Sequence, residues 1–292
     1  MKKISLMPIV LCAVIASFLG QDLVAETPKK PELEFPQASP SATVKERVGV
    51  TAVDIEYGRP SVKGRKIFGG LVPYGEVWRT GANAATKLVL GTEVTFGGSQ
   101  VPAGTYALFT IPETGEWTVI LNKAEGQWGS YAYDAKNDVV RVKVKPVALT
   151  ESVETMTIGL GDLRDDSATL NITWDKTRVP VKLQTNLVAV LVPQIEAAMA
   201  GPGKKPYFDA AMFYYAHDLD LKKAVGWMDE ATKEQPDAFW IFYRKGLILA
   251  KSGDKPGALA AANKSIELAE KAGGAVAVEY KRLNESLIAS VR

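Results

Sequence analysis

VVRVKVK, residues Val139–Lys145, decides how the first half of this chain is read. Val140, Val142 and Val144 fall on one side of an extended backbone; Arg141, Lys143 and Lys145 fall on the other. A period of two in β-branched residues marks a strand with one face on a core and the other in water, the habit of antiparallel sheets. Upstream, Thr105–Ile111 and Trp117–Leu121 flank Pro-Glu-Thr-Gly-Glu and read as a hairpin with a long loop. Lys87–Leu90 and Glu93–Phe96 flank Gly91-Thr92, a short-hairpin signal. Val53, Ile55 and Tyr57 share one face of a first strand. Downstream, Met156, Ile158 and Leu160 are expected to pair with Leu170, Ile172 and Trp174 across a polar turn, and Val179, Val181 and Leu183 end the set. Roughly nine or ten short strands without a helical period predict a β-sandwich, with a jelly-roll or barrel as rivals.

From Asn186 the apolar period becomes helical. Leu187–Met199 reads as a helix that Pro193 bends or restarts, and Gly201–Pro206 breaks the chain. Ala224 and Ala258 lie 34 residues apart, the spacing of tetratricopeptide units. Gly246, Gly253 and Pro236 fall where that pattern wants small and closing residues, although Met212 and Leu219 replace glycines in the first unit. Asp254 with Pro256 is a good helix start, and Asp237 can cap the helix before it. A last helix is expected over Ala275–Val291. Phe208, Phe213, Tyr214, Tyr215, Trp227, Phe239, Trp240, Phe242 and Tyr243 fall largely at helix-packing spacings and read as core. The tail is therefore expected to be an all-α tetratricopeptide-like domain, or failing that a generic helical bundle.

A length of 292 residues leaves room for two domains. Lys2 and Lys3 precede an apolar run from Ile4 to Leu19, and Ala25 is a small residue before a cut, so residues 1–25 read as a signal peptide. The run is short for a membrane span and holds Pro8. Residues 26–41, rich in proline and lysine, read as a flexible leader. The domains expected are residues 42–184, all-β, and 185–292, helical. Localisation is then periplasmic or secreted, with no membrane span after signal cleavage. A net charge of +2 and basic runs no longer than two argue against nucleic acid. Cys12, the single cysteine, lies in the signal, which removes thiolate chemistry from the mature chain. His217, the single histidine, lies in the helical half, so a histidine-based triad or zinc site is hard to build. No metal and no cofactor is expected. Asp162, Asp165 and Asp166 share a turn that could offer oxygens to calcium, but aspartates are common in turns anyway.

Between two strands runs YGRPSVKGRKIFGGLVPYGEVWRTGANAATK, Tyr57–Lys87, with three arginines, a tryptophan and six glycines. It is too polar for a core element and too aromatic for a linker; such loops on a rigid scaffold are where binding tends to reside. Arg59, Arg65 and Arg79 supply forks suited to carboxylate or phosphate. Trp78, with Tyr106, Tyr131 or Tyr133, could form a flat platform for a sugar, and Asn83 adds an amide. The candidate ligand-binding set is Arg59, Arg65, Trp78, Arg79, Asn83 and Tyr106; no catalytic residue is assigned. The structural alternative is that Asp54 and Glu56 pair with these arginines and staple the loop down. A phosphate-cradling loop lacks its Lys-Ser or Lys-Thr.

Four blocks in this order, SPSATVKERVG, the Tyr57–Lys87 stretch, VPAGTYALFTIPETGEWTVILNK and WGSYAYDAKNDVVRVKV, resemble a family of secreted bacterial domains known only as a domain of unknown function. The resemblance implies a β-rich envelope domain, often followed by a tetratricopeptide-like tail, and brings no substrate, cofactor or catalytic residue. The leading expectation is a non-catalytic binding protein. Its β domain would take an envelope glycan or small anionic ligand, and its tail would contact a protein partner. The rival is a carboxylate-dependent hydrolase acting on envelope polysaccharide.

Overall fold

A computed structural model describes residues 35–292. The signal peptide expected over residues 1–25, and residues 26–34 of the leader, lie outside the described residues. Ten strands follow: β1 (Ser41–Val48), β2 (Thr51–Gly58), β3 (Ala82–Leu90), β4 (Val94–Phe96), β5 (Ser99–Val101), β6 (Gly104–Ile111), β7 (Trp117–Asn122), β8 (Asp138–Val144), β9 (Val147–Gly161) and β10 (Ser167–Thr185). They form a six-stranded sheet, β1-β2-β3-β6-β7-β8, and a four-stranded sheet, β5-β4-β10-β9, with every pair antiparallel. Neither sheet closes into a barrel. One apolar cluster joins them: Ile55, Leu88, Leu108, Leu121 and Val142 from the first sheet meet Phe96, Met156, Leu170, Trp174 and Val181 from the second. Two sheets sharing one core is the arrangement of a sandwich.

The alternation in β8 is as expected, with Val140, Val142 and Val144 buried and Arg141, Lys143 and Lys145 exposed. β7 is buried at every position because its outer face is covered too. There Ala85, Ala107, Phe109 and Ile120 pack beneath Val77 and Tyr133. That is why Trp-Thr-Val-Ile-Leu-Asn reads as a continuous run rather than an alternating one.

The Gly91-Thr92 hairpin is not formed. β3 stays in the six-stranded sheet while β4 belongs to the other, so this turn carries the chain between layers. Gly91 N donates to Ala52 O at 2.9 Å and Thr92 Oγ1 meets Thr51 Oγ1 at 2.6 Å, which ties the crossing to the β1–β2 turn. A two-residue turn signature reports local bending and cannot say which neighbour the next strand finds. The true tight hairpin comes one strand later: Gly97 and Gly98, with φ of 55° and 91°, join β4 to β5 as a turn of the mirror-image type does. Leu170 and Ile172 face Leu160 and Ile158 as expected. The two apolar runs read as separate strands on either side of Asp175 belong to one strand, β10, whose register shifts at a bulge on Asp175, φ 50°.

Six helices complete the chain: α1 (Leu187–Ala200), α2 (Tyr207–Ala216), α3 (Leu221–Glu234), α4 (Phe239–Ser252), α5 (Lys255–Ala272) and α6 (Gly274–Val291). α1 runs through Pro193 without restarting. The Gly201–Pro206 break separates α1 from α2. Asp254 caps α5 through Gly257 N at 2.9 Å, with Pro256 in the first turn. Asp237 does not cap α4: the residue at that boundary is Ala238, which offers no side-chain bond. Ala224, Ala258 and Ala262 are fully buried where neighbouring helices touch. Of the nine tail aromatics, Tyr214 is buried, Trp240 is exposed and the others are half-buried. His217 ends α2, its backbone N donating to Phe213 O and its ring 4.4 Å from that of Phe213. Among the described residues no helix is long and apolar enough to cross a membrane.

Candidate functional site

The site grows from the way residues 59–81 are tied to the sandwich. The first part lies along the outer edge of β9. Val62 N donates to Glu154 O at 2.8 Å, Met156 N donates to Pro60 O at 2.9 Å, and Ser61 and Thr155 form an isolated bridge. An otherwise free strand edge is thereby covered. Further on, Ile67 and Val72 enter the main core. Trp78 N and O exchange hydrogen bonds with Thr110 of β6 at 2.8 and 2.9 Å. Thr80, fully buried with φ 52°, turns the chain toward β3. Its hydroxyl donates to Thr110 Oγ1 at 3.1 Å, and its carbonyl accepts from Thr86 Oγ1 at 2.6 Å.

Between these anchors the loop stands on aromatic rings. Phe68 meets Trp117 edge-on at 4.7 Å, Trp78 at 6.0 Å and Trp174 at 6.2 Å. Trp78 stacks on Trp174 at 5.9 Å with 20° between planes. Such pairs each contribute roughly 0.5–1.5 kcal/mol beyond the area they bury. Trp117 and Trp174 come from β7 and β10, one from each sheet, so the loop is wedged at one end of the sandwich.

The expected carboxylate staple is not made. Asp54 and Glu56 lie on the outward side of β2, opposite Lys45 of β1 and Lys87 of β3 in register. Glu56 pairs with Lys87 at 2.5 Å and Asp54 approaches Lys45 at 4.0 Å. Glu56 holds the Lys87 ammonium above its ordinary value, chiefly through that hydrogen bond. The period of two thus spends both acids on cross-strand partners. The arginines are held by carbonyls instead: Arg59 Nε donates to Met156 O at 3.0 Å, and Arg65 donates to Val62 O at 3.1 Å and Ser61 O at 2.5 Å. Arg79 is half-buried, and its Nε is buried without a hydrogen-bond partner among the described residues.

Beside Arg79 opens a cleft of about 410 Å³. Arg65, Trp78 and Arg79 of the expected set line it, together with Glu76, Tyr131 and Trp174. Trp78 is half-buried, while Tyr131 is 86% exposed. The segment Gln127–Tyr131 is brought to this rim by Ala85 N donating to Gln127 O and Gly129 N donating to Asn83 O, both at 3.0 Å. Gly129 has φ 68° and passes so close that a β-carbon there would lie 3.4 Å from Arg79 Nη1 and 2.7 Å from the Tyr131 ring.

The other three expected residues are not brought to the cleft. Arg59 is engaged with β9. Asn83, at φ 65°, donates to Ser39 O at 3.3 Å. Tyr106 is buried, its hydroxyl donating to Pro102 O at 2.8 Å, and burial pushes its pKa up. Of the tyrosines proposed to stand with Trp78, Tyr131 does so. Tyr133 instead packs on Phe109 at 5.1 Å and donates to Asp138 Oδ2 at 2.7 Å. Trp174 and Glu76 were missed as site residues. Trp174 reads as an inward strand residue, which it also is, and no local signal says that Trp78, 96 residues earlier in the chain, stacks on it. Glu76 stands in the loop already singled out, three residues before Arg79, and could have been found there. Among the described residues no three His, Cys, Asp or Glu side chains stand close enough to share a metal ion.

Residues 39–183 match the family described as "Protein of unknown function (DUF2911)", a stretch that runs from before β1 to two residues short of the end of β10. No curated protein and no solved structure matches the chain.

Proposed function

From residues 39–183 as a domain of that family, we propose that the chain is a non-catalytic binding protein acting in the periplasm or outside the cell. Its β domain takes a small polar or saccharide-like ligand in the cleft beside Arg79. The observation that carries this reading is Arg79, which lines a cleft walled by indole and phenol rings and whose buried Nε has no hydrogen-bond partner among the described residues. Leaving such a group unpaired costs about 1–3 kcal/mol, and the Arg79 side chain is among those that line the cleft. Sugars present apolar ring faces to aromatic side chains and oxygens to guanidinium forks. Hydrolysis of a polysaccharide calls for two facing carboxylates, and among the described residues Glu76 is the one carboxylate that lines the cleft. Binding without turnover is therefore the better-supported reading.

The helical half is read as a tetratricopeptide-like protein-contact module. Ala224 and Ala258 sit fully buried at equivalent places in α3 and α5. A groove of about 390 Å³, lined by Val225, Asp229, Phe242, Lys245 and Lys264, opens between α3, α4 and α5. The test of the β domain is a titration of its tryptophan fluorescence with a panel of neutral and acidic mono- and disaccharides from cell envelopes. Quenching by a member of the panel is expected, weakened in Trp78→Ala protein whose unfolding midpoint is still cooperative. A folded protein that responds to none of them removes the reading.

A further inference from the structure

The charge around the cleft narrows the ligand class. This step rests on the saccharide-binding reading above. Two guanidinium groups, Arg65 and Arg79, and one carboxylate, Glu76, line the cleft, a net lining charge of +1. Arg65 has already committed Nε and Nη2 to Val62 O and Ser61 O. Arg79 Nε is buried and has no hydrogen-bond partner among the described residues, and the acids of β2, Asp54 and Glu56, stand with Lys45 and Lys87 instead. A guanidinium edge offers two parallel N–H donors that match the two oxygens of a carboxylate.

We propose that the cleft selects a singly charged, carboxylate-bearing sugar of the uronate type. Its carboxylate lies on the Arg79 fork and its ring lies against Trp78 and Tyr131. A neutral sugar leaves the Arg79 donor with only a weaker hydroxyl partner. A phosphate ester brings a second negative charge beside Glu76, where like charges oppose binding. The sugar ring distinguishes this ligand from a free carboxylate such as acetate, which has nothing to offer the aromatic wall.

The experiment is calorimetric titration of the full chain with glucuronate, glucose, glucose 6-phosphate and acetate, repeated with Arg79→Gln. Glucuronate is expected to bind about tenfold to a hundredfold tighter than glucose, the range of one charge-assisted hydrogen bond. Acetate should bind more weakly still. Arg79→Gln should bring glucuronate down to the level of glucose. If the glutamine variant does not fold, Arg79→Lys keeps a positive charge beside the core, loses the fork, and must also lose most of the preference. Equal binding of glucose and glucuronate overturns the charge selection and leaves the saccharide reading standing. Tightest binding of glucose 6-phosphate overturns the carboxylate class. Acetate binding as well as glucuronate overturns the role of the ring. No binding of any sugar by protein with a cooperative melt overturns both readings.

Discussion

Replacing Phe68 with alanine separates the two ways the arginine-rich loop could be held. Phe68 touches three indoles, with centroids at 4.7, 6.0 and 6.2 Å, and packs at the margin of the main core. A fully buried phenylalanine costs about 3–5 kcal/mol on truncation. Phe68 is half-buried, so the lower end applies, about 3 kcal/mol, much of it in aromatic pairs. Glu56→Gln breaks the Lys87 pair, whose side chains are 48% and 32% exposed; pairs in that setting contribute under about 1 kcal/mol. Urea unfolding followed by tryptophan fluorescence reads both. With a slope of about 2–3 kcal/mol/M, Phe68→Ala lowers the midpoint by about 1 M, while Glu56→Gln moves it by less than about 0.4 M. Limited proteolysis should cut the Phe68→Ala loop between residues 59 and 81 first. If Glu56→Gln proves as damaging as Phe68→Ala, ion pairs rather than stacked rings hold the loop and the account of the site is wrong.

Three further outcomes are expected. Gly129→Ala must carry a β-carbon at φ 68° into the Tyr131 ring; it should destabilise by about 1–2 kcal/mol, swing Tyr131 from the rim, and weaken any cleft ligand at least severalfold by calorimetry. Burial pushes Tyr133 up to about 12, helped by its bond to Asp138, and pushes Tyr214 up to about 12, helped by Glu196. Because these folded values exceed the ordinary one near 10, the stability they bring is complete below pH 10 and lost as pH rises toward 12. Melting temperature should fall across that interval, less steeply in Tyr133→Phe, and absorbance near 295 nm should show two late-ionising tyrosines; a flat profile refutes this. Asp254→Ala removes the bond to Gly257 N at 2.9 Å and should lower helical stability by about 1 kcal/mol in thermal unfolding.

Much of the architecture could be read along the chain because the reasons for it are local. The valines of β8 and the inward residues of β2 show a period of two, the residues after Asn186 show a helical one, and Asp254-Lys-Pro starts a helix on capping chemistry alone. Pairing was legible only where a short loop leaves one choice, as between β6 and β7. The Gly91-Thr92 turn fails as a hairpin because the next strand is captured by β10, some 90 residues later, through Leu183 opposite Phe96. Arg65, Trp78 and Arg79 could be singled out by composition. Their difference from Arg59, Asn83 and Tyr106 could not, since all six lie in or near the same loop or strand ends.

By itself the amino-acid sequence determined the alternation of strands, the change to helices at residue 186, and that one loop concentrates guanidinium groups and an indole. Those properties follow from side-chain periodicity and backbone preference, which act over a few residues. Only the tertiary structure decided that Asp54 and Glu56 face lysines across β2 rather than the arginines, that Trp174 rises from the other sheet to stack on Trp78, and that Arg79 is left with a buried, unspent donor. The reason is that a charge or a ring finds its partner across strands brought together by burial of a shared core, and that partner stands at no fixed distance along the chain.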